Sequence, residues 1–137
     1  MALVSPIYIG TLNKKPLRFF KAPLSGPHLV WHAFDDLLAC LKLPKSLQKD
    51  FRQKLKLDWS SDVRTVPTSD GIVTISPHWM AQGLIGSMIE VGMVNPKTEM
   101  AYTKEAVAAW NATTGDLPPM AGFDLMIAAY RSTNGIA

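Results

Sequence analysis

Residues 34–57 read FDDLLACLKLPKSLQKDFRQKLKL, and the spacing within them frames the rest of the chain. Phe34, Leu37, Leu38 and Leu41 fall at i, i+3, i+4 and i+7, the positions that share one face of an α-helix. Asp35 and Asp36 stand in its first turn, where carboxylates suit the positive end of the helix dipole. Pro44 has no amide hydrogen to continue that helix, but its fixed φ suits the opening of another. From Pro44 to about Leu57 the residues Leu43, Leu47, Phe51 and Leu55 recur every fourth position as an apolar stripe. Lys45, Lys49, Arg52 and Lys56, at offsets 0, 4, 7 and 11, form a second, basic stripe. Two helices joined by a very short turn, the second with a basic face, form a helix-turn-helix-like pair.

Towards the N-terminus, Ile7 and Ile9, then Leu17 and Phe19, alternate with other residues on either side of Leu12-Asn13-Lys14-Lys15. Alternation at period two marks half-buried strands, and Asn tolerates the positive φ of a tight turn, so a β-hairpin is expected. Ala22 to Pro27 is a Pro/Gly/Ser connector, and His28 to Trp31 has the length of a short strand.

Towards the C-terminus, Asp58 to Asp62 reads as a loop. Val63 to Val66 and Ile72 to Ile75 flank Ser69-Asp70-Gly71, and Asp-Gly between alternating apolar runs signals a second hairpin. Ser76-Pro77 and Asn95-Pro96 each set a capping side chain ahead of a proline, the signature of a helix start. The first of these helices is expected to bury Met80, Leu84, Met88 and Val91 and to end at Gly92. Gly83 and Gly86 inside it weaken it or mark a close approach by another element. The second, about Pro96 to Asn111, is expected to bury Met100, Val107 and Trp110. After a break from Gly115 to Pro119, a last helix spans roughly Gly122 to Tyr130. The expected architecture is an α+β domain: two β-hairpins, the helix-turn-helix-like pair and two to three further helices. Residues 1–115 form the domain, and residues 116–137 a C-terminal helix packing on it or on a partner.

A chain of 137 residues has single-domain length, and 47% hydrophobic residues are enough for a core. Charged residues make up only 18%, and there are seven Met and four Trp. Either the core is large or some apolar surface is covered by a partner or a second copy. The single cysteine, Cys40, excludes an internal disulfide and with it a disulfide-stapled secreted scaffold. No stretch approaches the roughly 20 apolar residues of a membrane span. Met1 to Gly10 lacks the basic leader and apolar run of a signal peptide, so a cytoplasmic protein is expected. Charge is divided unevenly: residues 1–64 hold eleven Lys and Arg against five Asp and Glu, a net +6, whereas residues 65–137 hold three against six, a net −3. A basic half beside an acidic half points to a directed electrostatic surface.

Catalytic and metal constellations fail on spacing. His28 and His32 are four apart, but Pro27 precedes them and the segment reads as partly extended, so they do not share a helical face. His78 is distant, and no His-x-x-Glu-His or Cys-x-x-Cys string occurs, so no metal or cofactor is expected. Cys40, inside an apolar run, reads as a small buried hydrophobe. Asp35 and Asp36 are adjacent and point apart, so they are not a paired-carboxylate site.

The order of these segments resembles the N-terminal domain of phage antirepressors of the BRO type, from the first strand to about Asn111. In that family a strand pair leads to a glycine, a short strand and a helix ending in a Leu-Gly-Leu-like string. Here Gly26, His28 to Trp31 and Phe34 to Leu43 are similar, except that Lys42 stands where the family has glycine. Gln48 followed by Lys54-Leu55 is similar to the family's basic segment. Val63 to Ile75 and Met80 to Ile89 correspond to its hairpin and apolar helix, and Tyr102 with Lys104-Glu105 to its Tyr-x-x-Glu-like pair. The resemblance implies a phage or prophage regulator that binds DNA or a repressor protein.

The basic stripe is the leading functional candidate, because four cations on one face match about four phosphates. Lys14, Lys15 and Arg18 on the first hairpin extend it, and Gln48, Arg52 and Gln53 are the only side chains there suited to reading base edges. Trp59, in the loop beside the basic helix, is expected to be an exposed aromatic anchor. The expected protein is therefore a non-enzymatic DNA-binding regulator. The alternative is a protein-binding inhibitor, of antirepressor or anti-defence (anti-CRISPR) type, whose cations meet an acidic partner. A homodimer through the C-terminal helix fits the low charge content.

Overall fold

The computed structural model describes residues 2–133. The elements are β1 Tyr8–Leu12, β2 Lys15–Phe20, β3 Trp31–Ala33, α1 Phe34–Cys40, α2 Lys45–Asp58, a 3-10 turn Ser60–Asp62, β4 Arg64–Thr68, β5 Gly71–Ser76, α3 His78–Glu90, α4 Lys97–Thr114 and α5 Pro119–Thr133. The strands form one antiparallel sheet in the order β1-β2-β3-β5-β4. The chain is thus α+β, with both hairpins and the α1–α2 pair in place.

The first hairpin turns through Asn13 and Lys14, whose φ values are 51° and 68°. Two consecutive positive values give the tight turn whose twist matches the flanking strands. Asn13 also donates its side-chain amide to the Cys40 carbonyl at 2.8 Å, which ties the hairpin tip to the end of α1.

Strand register sorts the sheet residues into two faces. Tyr8 opposes Phe19, Gly10 opposes Leu17, Phe19 opposes His32, and His32 opposes Ser76. This face packs on the helices, in a core that joins Leu12, Leu17 and Phe19 to Leu37, Leu38, Ile85, Tyr102 and Ala106. Phe20, Trp31, Ala33, Val73 and Ile75 form a second buried cluster with Ala22 and Val66. The segment ahead of β1 links the two hairpins: the Val4 amide donates to the Pro67 carbonyl at 2.7 Å, and the Ile7 amide to that of Phe19 at 2.8 Å.

Several expected burials are overturned, each because a neighbour set the face. In β1 the inward residues are Tyr8, Gly10 and Leu12, and Ile9 is 58% exposed. Helix α4 lies so close to β1 that a Cβ on Gly10 would stand 2.8 Å from Glu105 Oε2. Helix α4 buries Thr98, Tyr102, Ala106, Ala109 and Trp110, which leaves Met100 and Val107 on its outer side. Val91 lies beyond the end of α3 and is exposed, while Val94 is buried as the chain turns back through Gly92. Ser76 does not cap α3, because its hydroxyl lies 2.7 Å from His32 Nε2 across the sheet. At Asn95 the capping signature holds: Oδ1 accepts the Lys97 amide at 2.9 Å. The short strand starts at Trp31, not His28, and the expected loop at Asp58 is the last residue of α2 followed by the 3-10 turn.

Helix α1 is wedged against β2, β3 and β5. Asp36 accepts the Arg18 backbone amide at 3.0 Å, Nε at 2.8 Å and an Nη at 3.0 Å. Both side chains are about four-fifths buried. The turn after α1 places Lys42 at φ 54°, in the left-handed region that favours glycine. Lys42→Gly is therefore expected to raise unfolding stability by about 1 kcal/mol, read as a higher urea midpoint at unchanged slope. A lower midpoint would show that the Lys42 side chain contributes more than its backbone strain costs. Asp36→Ala removes both the carboxylate and the partner of a mostly buried guanidinium, and is expected to cost about 2 kcal/mol in the same experiment.

Candidate nucleic-acid interface

Helix α2 owes its helicity to good helix formers throughout and its position to one narrow seam. Leu55 is buried, and Leu47, Gln48 and Phe51 are half-buried, whereas ten of the fourteen residues are exposed. A helix presented this fully can enter a groove on a partner. Lys45, Lys49, Arg52 and Lys56 lie on one side of it, and all four are exposed. Lys45, Lys49 and Lys56 form no ion pair among the described residues, so their charge faces solvent unneutralised. Arg52 differs: its Nε meets Asp35 Oδ1 at 2.6 Å. Gln48 turns inward and donates to the Leu43 carbonyl at 2.8 Å, closing the connector ahead of α2.

The hairpin cations divide in the same way. Lys14 and Lys15 are exposed at the tip of the first hairpin, and the Asn13–Cys40 bond brings that tip beside the α1–α2 connector. Lys42, exposed in that connector, joins them at the approach to α2. Arg18 is not part of this surface, because its guanidinium is spent on Asp36 and lies 3.8 Å from Asp70. Beside the C-terminal half of α2, a groove of about 610 Å³ is lined by Arg52, Lys56 and Arg64, with Asp35 and Thr65. Lys42 and Arg64 were missed in the sequence because neither lies on the helical stripe; only the fold carries them to it.

Trp59 caps the C-terminus of α2 and is 41% exposed. Its ring centroid stands 6.1 Å from that of Trp79 at 59°. The two rings, with Phe51, Leu55, Met80 and Leu84, line an apolar cleft of about 280 Å³ between α2 and α3. Gly83 opens the α3 side of this cleft. A glycine inside this helix thus marks an opening, not a close approach.

Apart from His28, the cysteine and the histidines are interior. Cys40 is buried, and burial pushes its thiol up to about 11. His28 bonds to the Ser25 carbonyl at 2.8 Å, in the connector ahead of β3, whereas His32 lies within β3. His32 is fully buried between Ser76 Oγ at 2.7 Å and the Tyr102 hydroxyl at 3.4 Å. His78 is buried, and its ring centroid stands 5.7 Å from that of Tyr102. These residues link β3, β5, α3 and α4, and neither motif nor spacing in the sequence announces them. Tyr102 and Glu105 secure α4 to the sheet, the latter by accepting the Tyr8 hydroxyl at 3.2 Å.

No family model matches this chain, and no curated protein or solved structure is significantly similar to it.

Burial, followed by the nearby His78, lowers the His32 pKa from 6.5 to about 3. Between those values the unfolded chain binds a proton that the folded chain does not, so stability falls as pH drops through this window, by about 1.4 kcal/mol per unit. Lowering the pH from 6.5 to 5 is expected to cost wild type about 2 kcal/mol more than it costs His32→Gln, measured by urea unfolding at both pH values. Equal losses would place the acid sensitivity elsewhere.

Proposed function

We propose that this chain is a non-enzymatic regulator, of the phage antirepressor kind, that grips the backbone of duplex DNA with helix α2. The observation that carries the proposal is the exposed, unpaired trio Lys45, Lys49 and Lys56 on one side of a prominently presented helix. Lys14, Lys15 and Lys42 add charge at its N-terminal approach, and Arg64 adds charge beside its C-terminal half. Base-edge readers are scarce, since Arg52 is held by Asp35 and Gln48 by its own connector. Binding is therefore backbone-directed, tolerant of sequence and strongly salt-dependent.

A second occupant of the same region is favoured by one specific feature, the tryptophan-lined cleft. Aromatic rings around an apolar opening beside lysines suit an acidic protein with an apolar anchor. The two readings separate by salt and by residue.

The test is fluorescence anisotropy on a labelled duplex of arbitrary sequence across a salt series. Wild type is expected to bind with a log–log salt slope of about −4, from roughly four to five phosphate contacts. Lys45→Gln, Lys49→Gln and Lys56→Gln together are expected to flatten that slope by nearly 3 while Trp59→Ala leaves it unchanged. Absence of low-salt binding by wild type, or an unaltered slope in the triple variant, overturns the DNA proposal. Capture of an acidic host protein that is lost in Trp59→Ala establishes the second.

A further inference from the structure

Helix α5 turns Leu125, Met126 and Ala129 inward onto Leu29 and Trp110. Its other side carries Met120, Phe123, Ile127 and Tyr130, which are 71%, 60%, 43% and 41% exposed. At the α-helical repeat these four lie within an arc of about 80°, so they form one continuous stripe. Together they offer on the order of 400 Å² of apolar surface, within the range of the largest patch a monomer exposes, which is often functional. Leu117 and, on α4, Val107 are also exposed. With a polar rim they carry the patch towards the ~800 Å² that each partner gives to a stable interface.

The spacing and the charges at the two ends of the helix suit a second copy of α5 as the occupant. Along the stripe the intervals are three, four and three residues, a series that reads the same in both directions. Two copies of α5 laid antiparallel about a two-fold axis at Leu125 set Met120 opposite Tyr130 and Phe123 opposite Ile127, and the two-fold repeats each contact. Every apolar residue of the stripe then faces another. The same alignment opposes the two helix dipoles and carries Arg131, in the last turn, towards the end of the partner helix that follows Asp116.

We propose that this chain forms a two-fold dimer through an antiparallel α5–α5 contact. The dimer uses none of the α2 lysines, so it stands whether or not that surface binds DNA. The test is sedimentation equilibrium at tens of micromolar chain, where the wild type is expected at twice the 15.0 kDa chain mass. Phe123→Glu with Ile127→Glu is expected to sediment as a monomer with unchanged circular dichroism, because both residues are exposed. Cross-linking fixes the alignment. Met120→Cys chains mixed with Tyr130→Cys chains are expected to form a mixed disulfide dimer on mild oxidation, and Met120→Cys chains alone are not. A monomeric wild type, or a double variant that still dimerises, overturns the proposal. Efficient self-cross-linking of Met120→Cys overturns the antiparallel alignment.

Discussion

Asp36 is the polar tie between helix α1 and the first hairpin. Its carboxylate accepts both the backbone amide and the guanidinium of Arg18, and Arg18 turns its remaining nitrogen towards Asp70. One carboxylate on α1 thereby ties the first hairpin to the wedge helix and leads towards the tip of the second hairpin. With both partners mostly removed from water, the attraction is screened far less than at a surface, and loss of either leaves the other uncompensated. The adjacent Asp35 points away from Asp36 and meets Arg52 on α2. Two neighbouring carboxylates thus reach two different elements, the first hairpin and α2.

The placement of the cations follows from that constraint. Once α1 sits between the hairpins, the Asn13–Cys40 bond draws Lys14 and Lys15 to the connector that carries Lys42, and α2 leaves from there with its lysines outward. The positive surface is assembled from a hairpin tip, a turn and a helix that are distant in the chain. Helix α4 closes the opposite side of the core, where Gly10 admits Glu105 and the buried His32 receives Ser76 and Tyr102. The polar groups of that interior are paired with one another, in keeping with the cost of leaving them unmet in a dry core; among the described residues His78 Nδ1 alone is buried without a partner.

Much of this was legible in the chain. Asn13-Lys14 and Asp70-Gly71 announce turns because few residues tolerate the backbone they need. The i, i+4 spacing of Leu43, Leu47, Phe51 and Leu55 announces the seam of α2 because that spacing is helical. What misled was the assumption that an apolar residue at the right period is a buried one. Met100 and Val107 obey a helical period, yet α4 buries the rival face through Tyr102, Ala106 and Ala109. Ile9 obeys a strand period, yet the opposite parity faces the helices. Arg18 looked like a free surface cation because nothing local reveals that Asp36, eighteen residues on, will claim it.

The sequence by itself determined the fold class, the tight turns and the helical stripes, because these rest on backbone geometry and on periods shorter than a few turns. Tertiary structure alone decided which of two apolar faces is buried, which cations are neutralised, and which polar side chains meet inside. Those outcomes depend on contacts between segments tens of residues apart, whose energies exist only once the chain has closed on itself.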